Sequence, residues 1–361
     1  MIGYIILLIH ATEFPRLLSG DESNDVAVGR VIKGASGSCR KGSTKEVLYL
    51  KIIFFGTPEI AEVYLKELTN SHEVLAVITR PDRPKDRGQN MMPPPVKTLA
   101  LEHGIPVFQP EKFTPEITEK LISLKPEVGV VVSYGKIIPE NIFKIPKLGC
   151  FNIHFSLLPK YRGAAPMQWA LINGEKETGT TTFWIEKSLD SGPIIVQKKI
   201  EIRNDDDLVS LTKKLTSLGI VTMQETFDKL SNGQVKGEPQ IGDFTLAHSL
   251  KKEDGKIDWS KNAVDIFNLI RGTNPWPGAF STLKESKKTI KILKAHVVEN
   301  TEDSGIYVPG QITEIVKNCG FVVSCGQGKL MIDEVHPENK KPMSAWSFLQ
   351  GCHYKVQDKI F

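Results

Sequence analysis

The chain has 361 residues, with 46 Lys+Arg against 42 Asp+Glu for a formal net charge of +4, and is 40% hydrophobic and 24% charged. That length makes two domains the leading count, with three as the alternative, and the composition excludes a mainly disordered chain, a collagen-like repeat and a disulfide-stapled miniprotein. The charge is too mild to prove a polyanionic partner, so any nucleic-acid reading must rest on local patches.

The N-terminus is weakly patterned. Residues 1–9 (MIGYIILLI) look like the apolar part of a signal peptide, but no Lys or Arg precedes them. Residues 19–45 are rich in Gly, Ser and charge without periodicity, so residues 1–49 are expected to be a disordered, dispensable extension. From Leu50 the pattern alternates β-branched runs with helical stretches. LKIIFF (50–55), VLAVIT (74–79), PVF (106–108), VGVVVS (128–133) and CFNIH (150–154) predict strands. Thr57 is placed as N-cap and Pro58 as first residue of the helix after the first strand, and further helices are expected near 95–103 and 114–124. TTTFWIE (180–186) and PIIVQKKIEI (193–202) predict a hairpin, and 207–230 one long amphipathic helix. This alternation predicts an α/β unit with a mostly parallel, Rossmann-like sheet covered on both faces. A polar, Gly/Pro-containing stretch near 231–250 predicts a linker. Beyond it, after a short helix near 261–271, come short strands broken by Gly, Asn and Pro, which suit a small antiparallel β-barrel, OB-like as a first expectation.

Five cysteines (Cys39, Cys150, Cys319, Cys325, Cys352) without a CxxC pair argue against a disulfide framework and a structural zinc site, so no metal and a reducing cytoplasm are expected. No apolar run reaches the roughly 18 residues needed to cross a bilayer, and no membrane contact is expected. FFGTPE (54–59) opens a helix after a strand, where backbone N–H groups can cradle an anion, although GxGxxG is absent. RPDRPKDRGQNMMPPPVK (80–97) is long for a strand-to-helix loop. It sets Arg80, Arg83, Lys85, Arg87 and Lys97 against Asp82 and Asp86 on a proline-stiffened segment. That suits phosphate contacts, and a solvated charge run fits the same residues equally well.

The chemistry concentrates in NIHFSLLPKYRGAAP (152–166). Asn152 and His154 lie two apart at the C-terminal end of a predicted strand and so project from one face. Asn152 can donate to the oxyanion formed in acyl transfer, and a neutral His154 can take the proton of an attacking amine. Asp190 in SLDSGP (188–193) is a candidate to orient the imidazole, although spacing does not bring it there. The bland alternative is a pair of satisfied core groups.

From about residue 51 onward the sequence resembles the methionyl-tRNA formyltransferases, in FFGTPE, the RPDRP…RG…PPPVK loop, VVSYGKIIP (131–139), GCFNIHFSLLPKYRGAAPMQ (149–168), SLDSG (188–192), KIDWS (256–260) and NPWPG (274–278). The resemblance implies transfer of the formyl group of 10-formyltetrahydrofolate to the α-amine of methionine on initiator tRNA, with Asn152, His154 and Asp190 as the catalytic trio. It implies a folate site lined by Ser156, Leu157, Leu158 and Pro159, with Val132, Ser133, Tyr134 and Gly135 nearby. It implies that the 80–95 loop enters the acceptor-stem end of the tRNA through Arg80, Arg83, Lys85 and Arg87. The expected organisation is a catalytic domain over 50–235, a linker over 236–250 and an OB-like tRNA-binding domain over 251–361, acting as a monomer.

Three departures stand out. Phe155 replaces the family's usual Gly, and a bulky side chain there could reshape the folate pocket. Gln89 and Asn90 replace lysines, and region 241–361 carries only 16 Lys/Arg against 14 Asp/Glu. The nearest rival is a formyltransferase acting on an amino sugar nucleotide, suggested by the NxH…SLLPKYRG core and WALINGE (169–175). A non-catalytic RNA-binding protein on the same fold is the rival from another class.

Overall fold

A computed structural model describes residues 49–85, 90–298 and 307–361. Residues 1–48 of the expected extension, and Arg87, lie outside the described residues.

Ile52 to Phe55 are all fully buried within strand Lys51–Gly56 (β1), as an apolar run must be when both faces of a sheet are covered. Helix Glu59–Ser71 (α1) buries Ala61, Tyr64, Leu65 and Leu68 at helical spacing and returns the chain to Glu73–Ile78 (β2), parallel to β1. The cationic segment then forms a hairpin of Arg83–Lys85 (β3) and Asn90–Met92 (β4), not a bare loop; its prolines hide the strand pattern in the sequence. Pro95–Glu102 (α2), Val107–Phe108 (β5) and Pro115–Ser123 (α3) follow, the last capped by Thr114 Oγ1, which accepts from Ile117 N–H. Next come Val128–Val132 (β6), Glu140–Phe143 (α4), Cys150–His154 (β7), Arg162–Gly163 (β8) and Pro166–Ile172 (α5). The predicted hairpin is Glu177–Trp184 (β9) with Ile194–Glu201 (β10), and the predicted long helix is Leu208–Ser231 (α6).

The sheet order is β10-β9-β7-β6-β1-β2-β5, with β5, β2, β1, β6 and β7 parallel and β9 and β10 antiparallel at one edge. The winding reverses between β1 and β6, so their C-terminal ends flank the crevice where open α/β sheets take ligands. Thr57 Oγ1 closes one side of it by donating to Tyr134 O at 2.9 Å. This explains a departure from expectation. With its hydroxyl committed across the sheet, Thr57 does not cap α1; Pro58 holds the N-cap position without a side-chain bond.

Helix α6 lies on the sheet through paired hydroxyls, Thr180 with Thr222 at 2.6 Å and Thr182 with Thr226 at 2.7 Å, all four buried. Against α1 it presents Gly219, where a Cβ would sit 2.0 Å from the Tyr64 hydroxyl, which donates to Thr216 O.

The predicted linker is not free: Leu246–Ala247 (β11) pairs in parallel with β8. Helix Ala263–Thr273 (α7) then precedes strands Ala279–Thr282 (β12), Thr289–Val297 (β13), Ile312–Val316 (β14), Gly320–Ser324 (β15), Lys329–Pro337 (β16) and Met343–Ser344 (β17), and helix Ala345–Cys352 (α8). These strands form an antiparallel sheet in the order β12-β13-β16-β15-β14, with β17 on β16, over a hydrophobic core of its own. Arg271 on α7 is buried at the junction of the two units. Its Nη1 donates to Arg203 O (3.0 Å) and Asp206 O (3.1 Å) of the first unit, and its Nε to Asn268 Oδ1 (2.9 Å).

Candidate active site

Period-two geometry sorts β7 into two faces. Phe151, Ile153 and Phe155 join the core packed under α1 and α6, while Asn152 and His154 point the other way. Phe155 therefore turns its ring away from the face that carries Asn152 and His154. Its ring packs edge-on against Tyr64, centroids 6.3 Å apart, behind the strand.

His154 is 5% exposed, and its Nε2 lies 2.8 Å from Tyr161 O. A carbonyl only accepts, so Nε2 carries the hydrogen and the lone pair of the neutral ring is on Nδ1. Nδ1 faces Asp190 Oδ2 at 3.8 Å, within ion-pair range and too far for a hydrogen bond. Asp190 is thus beside the imidazole, as the sequence proposed, but does not orient it; the Tyr161 carbonyl does. The carboxylate is itself held by Gly163 N–H, which donates to Oδ2 at 2.8 Å. Asp190 has a left-handed backbone, φ 44°. Tyr161, also left-handed at φ 63°, is fixed by its N–H to Thr245 Oγ1 (2.8 Å) and its hydroxyl to Glu175 Oε1 (2.7 Å). Burial pushes that phenol up to about 12.

The segments assigned to the cofactor are turns at the strand ends. Ser156 Oγ donates to Lys160 O at 2.6 Å, and Ser156 O accepts from Thr181 Oγ1 at 2.7 Å, so the serine braces its own turn. Leu158 is buried and Leu157 and Pro159 are half-buried. Val132 and Tyr134 face the core; the Tyr134 ring meets Phe55 edge-on and its buried hydroxyl has no partner among the described residues. Ser133 and Gly135 between and after them are left-handed, at φ 47° and 74°.

Of the cations, Lys97 is already committed. It donates to both oxygens of Asp82 (2.8 and 2.7 Å), which Gln109 also contacts, and these bonds hold the Asp82 carboxyl below its usual range. Arg83 is exposed on β3, followed by Lys85 at the strand's end. Arg80 is half-buried beside Gly135, and its Nε is buried without a partner among the described residues. Burial, then the charge of Arg83, lowers its guanidinium below the usual range.

Sequence reasoning missed Tyr161 O and Gly163 N–H, since backbone groups carry no residue-type signal. It also missed Gln240, whose side chain reaches the Asp190 loop from the linker. Among the described residues no cluster of three or more His, Cys, Asp or Glu is arranged to hold a metal, and no helix is long and apolar enough to cross a membrane.

This amide, imidazole and carboxylate lie within a segment that matches the formyl transferase class. Residues 50–226 match the formyl transferase family and residues 249–353 the formyl transferase C-terminal domain. The chain is 48% identical to the methionyl-tRNA formyltransferase of Thermodesulfovibrio yellowstonii over 302 residues, 83% of this chain and 95% of that protein. It is 43% identical to that of Endomicrobium trichonymphae over 317 residues, 86% and 100% of the two chains. The chain belongs to the methionyl-tRNA formyltransferase family. The fold is shared with WlaRD, a sugar 3N-formyl transferase (TM-score 0.59, 22% identity, 81% of this chain and 99% of that one). It is shared too with HypX from Aquifex aeolicus, in a complex with tetrahydrofolic acid (TM-score 0.57, 16% identity, 86% and 49%).

Proposed function

We infer that this chain transfers the formyl group of 10-formyltetrahydrofolate to the α-amine of methionine esterified to initiator tRNA, acting in the cytoplasm. Kinship at 43–48% identity supports the reaction. The observation that carries the chemistry is the His154 ring, with Nε2–H committed to Tyr161 O and Nδ1 left as a base beside Asp190.

The residues present fit a folate. The left-handed turn at Ser133 and Gly135 takes peptide groups out of the strand ladder at the crevice between β1 and β6. A pterin edge is a row of donors and acceptors of the kind such groups match. Residues 132–135 and 156–159 would hold it. When bound, the folate supplies a formyl group attached to a nitrogen that can leave.

The attacking amine must be a free base, and the free α-amino reference value near 8 is lowered by an adjacent ester, so a weak base suffices. Nδ1 of His154 is that base, and the carboxylate of Asp190 then faces the charge created on the ring. Asn152 offers its N–H₂ to the oxygen that gains charge as the amine adds. Arg80, Arg83, Lys85 and Arg87 are assigned to tRNA phosphates, a role supported by the exposure of Arg83 on the hairpin and by the kinship above.

A formylation assay offering methionyl-tRNA, free methionine and an amino sugar nucleotide in parallel tests the reading. Product on the charged tRNA alone is expected; product on the sugar nucleotide would move the chain to the rival activity.

A further inference from the structure

We propose that Gln240, in the segment joining the two units, is a positioning residue that holds Asp190 in its working geometry. The proposal rests on the formyl-transfer reading above.

The side chain of Gln240 is saturated. Its Nε2 donates to Asp190 O at 2.8 Å and Gly192 O at 2.9 Å, which uses both amide hydrogens. Its Oε1 accepts from Arg162 Nε at 3.1 Å and Nη2 at 2.7 Å, which uses both lone pairs. Arg162 in turn lies between the two backbone groups that hold the catalytic pair: Tyr161, whose carbonyl fixes the His154 ring, and Gly163, whose N–H holds the Asp190 carboxylate. Gln240 therefore clips the strand that grips the Asp190 side chain to Asp190's own main chain.

The need for such a clip is visible in the backbone. Asp190 has φ 44°, a region that costs a non-glycine residue on the order of 1 kcal/mol unless surrounding bonds impose it. The two bonds from Gln240 fall on the carbonyls of that residue and of Gly192, two further on.

The rest of the segment locks Gln240 in place. Arg162 stacks over the Phe244 ring, 4.8 Å from its centroid, and donates its N–H to Thr245 O at 2.8 Å. Ala164 N–H donates to Ala247 O at 2.9 Å. Gly163, at φ 126°, approaches so closely that a Cβ there would lie 2.6 Å from Ala247 O.

Gln240→Glu separates the two halves of the clip. A glutamate keeps the acceptor for Arg162 and loses both donors. Steady-state formylation of methionyl-tRNA is measured for wild type, Gln240→Glu, Asp190→Ala and the double variant. The expected result is a kcat lower by about ten- to hundredfold in Gln240→Glu, the scale of a misplacement near 1 Å, with both KM values within about twofold. In the Asp190→Ala background the same substitution should cost nothing further, because a residue acting through Asp190 has nothing left to position. Gln240→Met, uncharged and of similar length, carries the same expectation if the glutamate disturbs folding as seen by circular dichroism. A kcat within twofold of wild type, a loss confined to KM, or an equal loss in the Asp190→Ala background would overturn the proposal. If wild type fails to formylate methionyl-tRNA, or Asp190→Ala matches it, the underlying reading falls and the proposal with it.

Discussion

Two arginines, both depressed by desolvation, sit in opposite circumstances. At the domain junction, buried Arg271 gives hydrogen bonds to two carbonyls and an asparagine and lies over the Phe267 ring, 5.3 Å from its centroid. At the cationic hairpin, half-buried Arg80 keeps a buried Nε with no partner among the described residues. A desolvated donor left unmatched is costly, so such a group calls for an explanation where it occurs. The candidate catalytic centre is of the Arg271 kind, with the His154 Nε2–H and the Asp190 carboxylate already matched from within. On the proposed reading, the base and its carboxylate are fixed from within, while the cationic hairpin keeps Arg83 exposed for a partner.

The sharpest break of this contrast is at the centre. Asn152→Ala or Asp190→Ala should leave tRNA binding intact and lower kcat by about two orders of magnitude or more, the scale of a lost oxyanion donor. Near wild-type turnover in either variant would remove that residue from the trio. At the open end, Arg80→Glu should act oppositely, weakening tRNA binding by about tenfold with kcat unchanged at saturating tRNA. It should also flatten the log–log salt dependence of the binding constant by about one. A kcat loss without a change in affinity would make Arg80 structural. At the junction, Arg271→Ala should destabilise by about 2 kcal/mol in denaturant melts by orphaning carbonyls and Asn268. An unchanged midpoint would mean the units do not need this contact.

The smallest effect concerns His72, buried beside Phe227 with ring centroids 4.3 Å apart, where burial lowers its basicity. Its folded-state value lies below the unfolded reference near 6.5, so the unfolded chain binds the proton more readily. Stability from this group is complete above about pH 6.5 and is lost as pH falls through the folded value. His72→Gln should therefore shrink the drop in melting temperature between pH 7 and 5.5; an unaltered drop would place the acid sensitivity elsewhere.

Much of this was legible in the residues. β-branched runs marked β1, β2, β6 and β7, and period two put Asn152 and His154 on one face. Thr57 shows the limit of local reading: a good cap by type, it is drawn away by a carbonyl 77 residues on. The hairpin β3–β4 was masked by its prolines, and α8 was missed altogether. Tyr161 O could not be found from residue type, since every residue has a carbonyl, and Gln240 lay in a stretch whose polarity reads as solvent-facing. Sequence pattern reports which face is apolar; it is nearly blind to single long-range hydrogen bonds, where this site is built.

The hydroxyl pairs between α6 and β9 have a consequence of a different sort. Leucines or valines there would pack on the sheet in more than one local arrangement with little penalty, whereas Thr222 and Thr226 meet Thr180 and Thr182 at one setting only. The four threonines work as a key in a lock, trading some adhesive strength for an unambiguous alignment. Replacing all four with valine should give a protein of similar melting temperature whose amide spectrum shows more than one packing of the long helix.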